Sequence, residues 1–484
     1  MEQQPQLKKA LSARSLFAIG LGCVVGWSWI VYAGLWTTKG GSLGGIIAFV
    51  ITGALCSLIG LIYAELTSAY PKVGGDLVFT LEGIGNGASI AMSWMLLVFW
   101  VGLTMIETMF FPIIMTRLGI PVPTFGQMYS IGGNPVYFSY LLVSLAMNGL
   151  LGFVNSRSVE VSGKVQQLMV WIMLAAVVFF LLLGFIKGSP SNAQPLFTNG
   201  AGFLAVFLML PGFMSGFNSI AQAAEEGNVS PKIIGRAVIL TIWGAVFFYV
   251  AVCVGLAFGG DVTLRSGETL VVLDAVDSMT HGSTIAMFFV TFASLLGMVT
   301  TWNACYIAAS RLFVGLSRAK YLPAGLQKVN EKTKAPDRAI WLLFGLSSMI
   351  VFFGCNPPIY VGIIDVFSFG LVISWILVSI SYLRLNKNRP ELARPYRVKY
   401  PKLVGWAGLL FSIAFLYLYM PWAPAPLTNY EWMGAIAVAI IALIVYFTYN
   451  RRKGYVSLDE RRHLLGLDEF DKKVLMNLTR NNSE

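Results

Sequence analysis

The sequence predicts an all-α polytopic membrane protein of about twelve transmembrane helices, and three observations carry that prediction. Composition is the first: 56% of the 484 residues are hydrophobic, 12% are charged and the mean hydropathy is +0.71, far more apolar than a soluble domain of this length. The second is a succession of apolar runs near the ~20 residues that cross a hydrocarbon core. The third is the placement of charge. With a cytoplasmic N-terminus, only Lys39, Arg117, Lys187 and Arg265 of the 34 Lys and Arg fall outside, while the others gather at inner helix ends, tails and loops such as 318–338 and 384–402. That is the positive-inside distribution for an even number of spans with both termini in the cytoplasm, and the expected location is the plasma membrane. The net charge of +11 is spread over separate short loops instead of one aromatic-studded face, which excludes nucleic acid as a partner; lipid is the surrounding medium.

Taken in order, the runs are 15–37, 43–68, 88–118, 135–155, 165–187, 200–223, 235–258, 283–315, 337–354, 359–383, 403–421 and 432–449. The polar, basic start MEQQPQLKKALSARS resembles a signal n-region. The apolar run behind it is too long for a signal core and ends in no clean cleavage site, so it reads as the first helix. Runs longer than a crossing requires imply tilted or kinked helices. The first and sixth runs are each interrupted, at GLGCVVGWSWIVYAG over 20–34 and at LMLPGFMSGFNSIAQAAEE over 208–226. A break at membrane depth survives only where protein or a water-filled cavity surrounds the freed backbone, and paired breaks in two halves mark the substrate site of secondary transporters. One glycine alone is explained by close helix packing; Gly22 and Gly26 matched by Pro211, Gly212 and Gly216 point to a site.

The remaining chemistry is sparse. Cys23, Cys56, Cys253, Cys305 and Cys355 lie in or beside apolar runs without CxxC spacing and read as buried thiols. His281 and His463 fall in a loop and in the tail, too few and too far apart for a metal centre. No nucleophile, metal cluster or paired acid site marks an enzyme, and no cofactor is called for. Glu107, within VGLTMIETMFFPIIM, is the one carboxylate deep in a span. Burying it costs about 2.5 to 3.5 kcal/mol, so a partner or a function is the default. Asp365 sits closer to an outer end, as a cap or gate, and Glu65, Glu225 and Glu226 are expected to pair with basic loops. The charged tail, 451–484, is expected to be solvated, with a short amphipathic helix in LDEFDKKVLMNL; a regulatory plug is the other reading.

Six stretches together resemble the amino acid, polyamine and organocation superfamily of permeases, over nearly the whole chain. They are the glycine-spaced first span, Tyr63-Ala64-Glu65-Leu66 with Pro71 and Gly74-Gly75, Lys164-Val165-Gln166, Gly216-Phe217-Asn218 with Ala224-Glu225-Glu226, Ser310-Arg311-Leu312-Phe313 to Tyr321-Leu322-Pro323, and Arg394-Pro395-Tyr396-Arg397-Val398. The resemblance implies five helices, an inverted repeat of five and two more, with helices 1 and 6 discontinuous. The corresponding segments are a cytoplasmic start at 1–14, repeats at 15–187 and 200–383, the added pair at 403–449 and a cytoplasmic tail at 450–484.

Carried over by position, the resemblance places a substrate carboxylate at the backbone around Gly26, Trp27 and Ser28, where helix N-terminal amides favour an anion. It places the substrate amine near the carbonyls of Val24, Gly212 and Ser215. Gly216 belongs to the same break. Glu107, on the third span that lines the family's pocket, would hold the ammonium or carry a coupled proton. Trp27 and Ser28 replace the family's usual small residues after the first-span glycine. Asn218 stands where many members have an acid, which favours a neutral amino acid. The aromatic gate is displaced, with Gly212 in its place and Phe213 beside it. Met173 occupies the position of the lysine that serves some proton-coupled members. A cation site is expected from the carbonyls of Gly22 and Val25 with the hydroxyls of Thr300 and Thr301, since hard cations select oxygen; paired threonines that bond their own helix are the plainer reading. The expected function is a permease for a neutral or small amino acid, with proton or sodium as coupling ion. The alternatives are an organic amine or polyamine carrier, an exchanger, and, from another class, a non-transporting sensor or a channel.

Overall fold

A computed structural model describes residues 7–267, 270–354, 357–423, 426–453 and 456–470. Ser12 begins the first helix, its hydroxyl accepting from the Ser15 amide, and α1 (Ala13–Val25) is followed after two residues by α2 (Ser28–Lys39). Then come α3 (Ser42–Ala69), α4 (Asp76–Gly83), α5 (Asn86–Arg117), α6 (Phe138–Arg157), α7 (Val159–Lys187), α8 (Gly200–Phe213), α9 (Ser219–Ala223) and α10 (Pro231–Gly259). The chain continues through α11 (Val262–Arg265), α12 (Val271–Thr280), α13 (Thr284–Arg318), α14 (Asp337–Ser348), α15 (Pro357–Asn388), α16 (Pro401–Tyr417), α17 (Asn429–Lys453) and α18 (Leu458–Leu464).

The predicted apolar runs are largely helical, but the count of membrane-crossing helices differs from the expected twelve. Among the described residues eight helices are long and apolar enough to cross, or nine when α1 and α2, bent by 53° at their break, form one span. The difference lies in where helices stop. The sixth run ends its first helix at Phe213 and the ninth runs into a tighter turn at Met349–Phe353, while α16 spans 17 residues. One element was absent from the all-helical expectation. A hairpin pairs β1 (Gln127–Ile131) with β2 (Asn134–Tyr137), turning at Gly132 and Gly133, whose φ of 57° and 82° suit glycine.

At the centre of the helical assembly α1 packs against α7, α10 and α13. Cys23, Cys56, Cys253 and Cys305 are free and buried in this core; Cys355 lies outside the described residues. One face carries both the first described residues and the described part of the tail. There the amides of Ala10 and Leu11 donate to Glu226 O at 2.9 Å each, and Asn228 N donates back to Leu11 O at 2.8 Å. The acids expected to pair do so: Glu226 with Arg311 at 2.8 Å, Glu225 with Arg318 at 2.9 Å and Glu65 with Arg394 at 3.0 Å. The first pair is fully buried, with side chains 0% and 1% exposed, so removing either partner would strand a charge, a loss of about 3 to 5 kcal/mol.

The described part of the tail corrects the expectation of a solvated segment. Arg462 bonds Glu82 at 2.6 Å beside Arg389, Arg461 lies 4.0 Å over the Tyr321 ring, and Leu467 is fully buried. Charge pairing and a buried leucine hold it against the face that carries the termini. The rest of the LDEFDKKVLMNL pattern, 471–478, lies outside the described residues.

On the same face, Gly74 and Gly75 lead into α4 so closely against α9 that a Cβ on Gly75 would stand 2.6 Å from Ala221 O. Asp76, buried behind them, accepts from the Tyr63 hydroxyl and, at 2.6 Å, from Gln222 Nε2. Burial pushes its carboxyl up to about 7. The folded chain thus holds a proton that the unfolded chain releases near pH ~4. This contribution to stability is complete below that value and is lost as pH rises through about 7. Thermal melting in detergent should fall between pH ~5 and ~7 in the parent and fall less in Asp76→Asn; equal slopes would remove Asp76 from the account.

Candidate substrate site

The break in the first span is a local consequence of Gly26. Its φ of 54° and ψ of −139° end α1, and Trp27 at φ −109°, ψ 2° carries the chain into α2. A side chain at Gly26 would be strained by that φ and would also put a Cβ 2.7 Å from Thr301 Oγ1. The sixth run breaks in a matching way. Pro211 lies in the last turn of α8, and Gly216 at φ 114° precedes α9. A Cβ on Gly216 would come within 2.9 Å of Cys23 Sγ and 3.0 Å of the Cys23 carbonyl carbon. Gly216 therefore packs on the last turn of α1, the turn that ends at Gly26.

Around this meeting point the predicted residues divide. Gly22 O accepts from Thr301 Oγ1 at 2.9 Å and Thr300 Oγ1 at 3.3 Å, so these three converge. Thr300 Oγ1 also donates to Gly297 O at 2.7 Å and reaches Met173 Sδ at 3.5 Å. Val25 O is instead engaged by Ser28 Oγ at 3.0 Å and the Tyr249 hydroxyl at 3.1 Å. Val24 O receives the same phenol at 3.0 Å, and Gly212 O accepts from Ser215 Oγ at 2.6 Å. Glu107 is 2% exposed, with Oε2 unpartnered, and faces the Trp27 indole and the Cys23 thiol. Asn218 is fully buried with neither side-chain oxygen nor nitrogen bonded. Phe213 packs against Tyr32 at 5.0 Å and Trp36 at 5.4 Å. Trp27 packs on Phe110 at 5.7 Å, and on the side of the termini Phe217 lies between Tyr63 and Trp375.

Two contributors were missed from the sequence. Tyr249 joins both breaks, since its hydroxyl also lies 3.3 Å from Phe213 O. Gln166 bridges Ala18 O at 3.2 Å and Thr300 O at 3.0 Å while accepting from Asn303 at 2.8 Å, tying α7 to α1 and α13. The available signal was a phenol and an amide inside apolar runs, polar groups that must find partners at that depth. Among the described residues no group of His, Cys, Asp and Glu could hold a metal.

The amino acid permease family model matches residues 11–447. The chain belongs to the amino acid permease family. Its relatives include the branched-chain amino acid permease BcaP of Bacillus subtilis (strain 168), 24% identical over 93% of this chain and 94% of that protein. The methylthioribose transporter of the same strain is 23% identical over 92% and 94%. The Asc-type amino acid transporter 1 of Homo sapiens is 26% identical over 84% of this chain and 77% of its own. The permease is thus an amino acid transporter and not an enzyme.

Valine at Gly26 or Gly216 of the permease would be strained by the positive φ and would press on Thr301 or on Cys23. Overpacking of about 1 to 3 kcal/mol should lower uptake by about tenfold or more while protein of normal size-exclusion profile is still recovered; normal uptake in both variants would sink the site assignment.

Proposed function

We propose that the permease carries a neutral, zwitterionic amino acid across the plasma membrane by alternating access, with substrate held where the two broken helices meet. The observation that carries this reading is the contact of Gly216 with Cys23 in the last turn of α1, beside an unpartnered buried Glu107 oxygen. Amides at the start of α2, from Gly26 through Ser28, present the positive end of a helix dipole to a carboxylate. Carbonyls of Val24, Gly212 and Ser215, with Glu107, suit the ammonium. Asn218 supplies a neutral polar group to the site, and Phe213 with Tyr32 and Trp36 forms the gate on the other side from the termini.

In this reading the helices form two inverted repeats of five, 15–187 and 200–383, with discontinuous first and sixth helices and an added pair at 403–449. The segments at 1–14 and 450–484 lie in the cytoplasm, so the ion-paired face that bears both termini is the inner gate. BcaP, by its name a branched-chain amino acid permease, supports a neutral substrate. The coupling ion is a proton taken by Glu107 or a cation at Gly22, Thr300 and Thr301, the three members of the expected set that converge. A second reading, an organic amine carrier, draws on the Glu107 carboxylate, which binds a cation without needing a substrate carboxyl group.

Uptake and counterflow in proteoliposomes test these readings, with labelled neutral amino acids and amines under a proton gradient, a sodium gradient or neither. Saturable amino acid uptake is expected, and competition by amines lacking a carboxyl group would favour the second reading. Glu107→Gln should shift the pH profile of uptake or raise KM by about tenfold, the scale of one charge-assisted hydrogen bond; an unchanged profile and KM would return Glu107 to a packing role. Where the parent shows sodium dependence, replacing Thr300 and Thr301 by alanine should abolish it, and sodium dependence that survives would clear those hydroxyls of ion binding.

A further inference from the structure

Tyr249 lies in mid-α10, within Phe247-Phe248-Tyr249-Val250. Its ring is fully buried, stacked on Phe49 at 4.8 Å and edge-on to Trp36 at 5.4 Å, so aromatic packing determines where its hydroxyl points. That hydroxyl lies 3.0 Å from Val24 O, 3.1 Å from Val25 O, 3.3 Å from Phe213 O and 3.0 Å from Ser28 Oγ. The three carbonyls are the last-turn acceptors of α1 and α8, the groups that a broken helix leaves without an intrahelical donor. Two protons are available to them. Ser28 Oγ donates to Val25 O at 3.0 Å, and the phenol donates to Val24 O with Phe213 O sharing the contact.

On the zwitterion reading above, on which this step rests, a substrate ammonium brings N–H donors to the same carbonyl ends. A buried carbonyl without a donor is costly, so closing the protein around the breaks requires a donor there in both half-cycles. Cargo supplies it in one direction. We infer that Tyr249 is a positioning residue that stands in for the substrate ammonium at the carbonyl ends of both broken helices, so that the carrier closes and returns without cargo and performs net transport instead of obligatory exchange.

The test compares two modes of the full-length protein in proteoliposomes, using labelled leucine or whichever neutral amino acid of the panel the parent carries fastest. Vesicles filled with buffer alone read net uptake under an imposed gradient, and vesicles filled with the same unlabelled amino acid read exchange. The parent is expected to do both. Tyr249→Phe keeps the ring and removes the hydroxyl, and it should lower the ratio of net uptake to exchange by about tenfold, the scale of one lost buried hydrogen bond. A merely structural role would depress both modes together and leave the ratio unchanged, which would overturn the inference. So would a parent that exchanges but never takes up label into buffer-filled vesicles, an outcome readable even if the variant does not fold. A parent silent in both modes would overturn the zwitterion transport reading itself, and this inference with it.

Discussion

Backbone polarity inside lipid is the constraint on which the rest of this molecule depends. An unbroken helix satisfies its own amides and carbonyls, whereas a break at depth must be answered by other parts of the protein. Here the answer comes from two neighbours of α1. The α10 phenol of Tyr249 reaches Val24 O, Val25 O and Phe213 O and the α13 hydroxyls of Thr300 and Thr301 reach Gly22 O, while the α7 amide of Gln166 adds a bond to Ala18 O inside α1. Enclosure of α1 by these helices is therefore a requirement of the break as well as a result of hydrophobic packing.

The same constraint explains the contrast between the centre and the face that bears the termini. At the centre, Glu107 Oε2 and both polar atoms of Asn218 are buried without partners, an arrangement that costs stability and that a ligand can repay. At the terminal face nearly the opposite holds. Glu226 with Arg311, Glu225 with Arg318 and Glu65 with Arg394 are closed ion pairs, reinforced by the backbone bonds of Ala10 and Leu11 to Glu226 O and by Arg462 on Glu82. Glu107 and Asn218 at the centre thus keep polar atoms without partners, while the acids named at the face are closed by arginines.

Much of the fold was legible because lipid permits so few solutions. The apolar runs are largely helical, and α1 ends at Val25 and α8 at Phe213, beside the two interruptions. The hairpin at 127–137 escaped notice because a short exposed strand pair buries almost nothing and leaves only its Gly132-Gly133 turn as a trace. The docked tail escaped because Arg461, Arg462 and Leu467 look like a solvated segment until Tyr321, Glu82 and their neighbours, far away in the chain, are brought against them.

By itself the sequence determined the solvent, the helices, the charge asymmetry and the two places where glycine and proline forbid a continuous span, because each follows from local composition and backbone sterics. Only the tertiary structure decided what each freed carbonyl meets. Val25 O bonds Ser28 and Tyr249 while Gly22 O bonds Thr300 and Thr301, a choice set by the facing of α10 and α13 around α1. The bonds from Tyr249, Thr300 and Thr301 join residues more than two hundred positions apart, and no periodicity within a single helix records which neighbour its face will find.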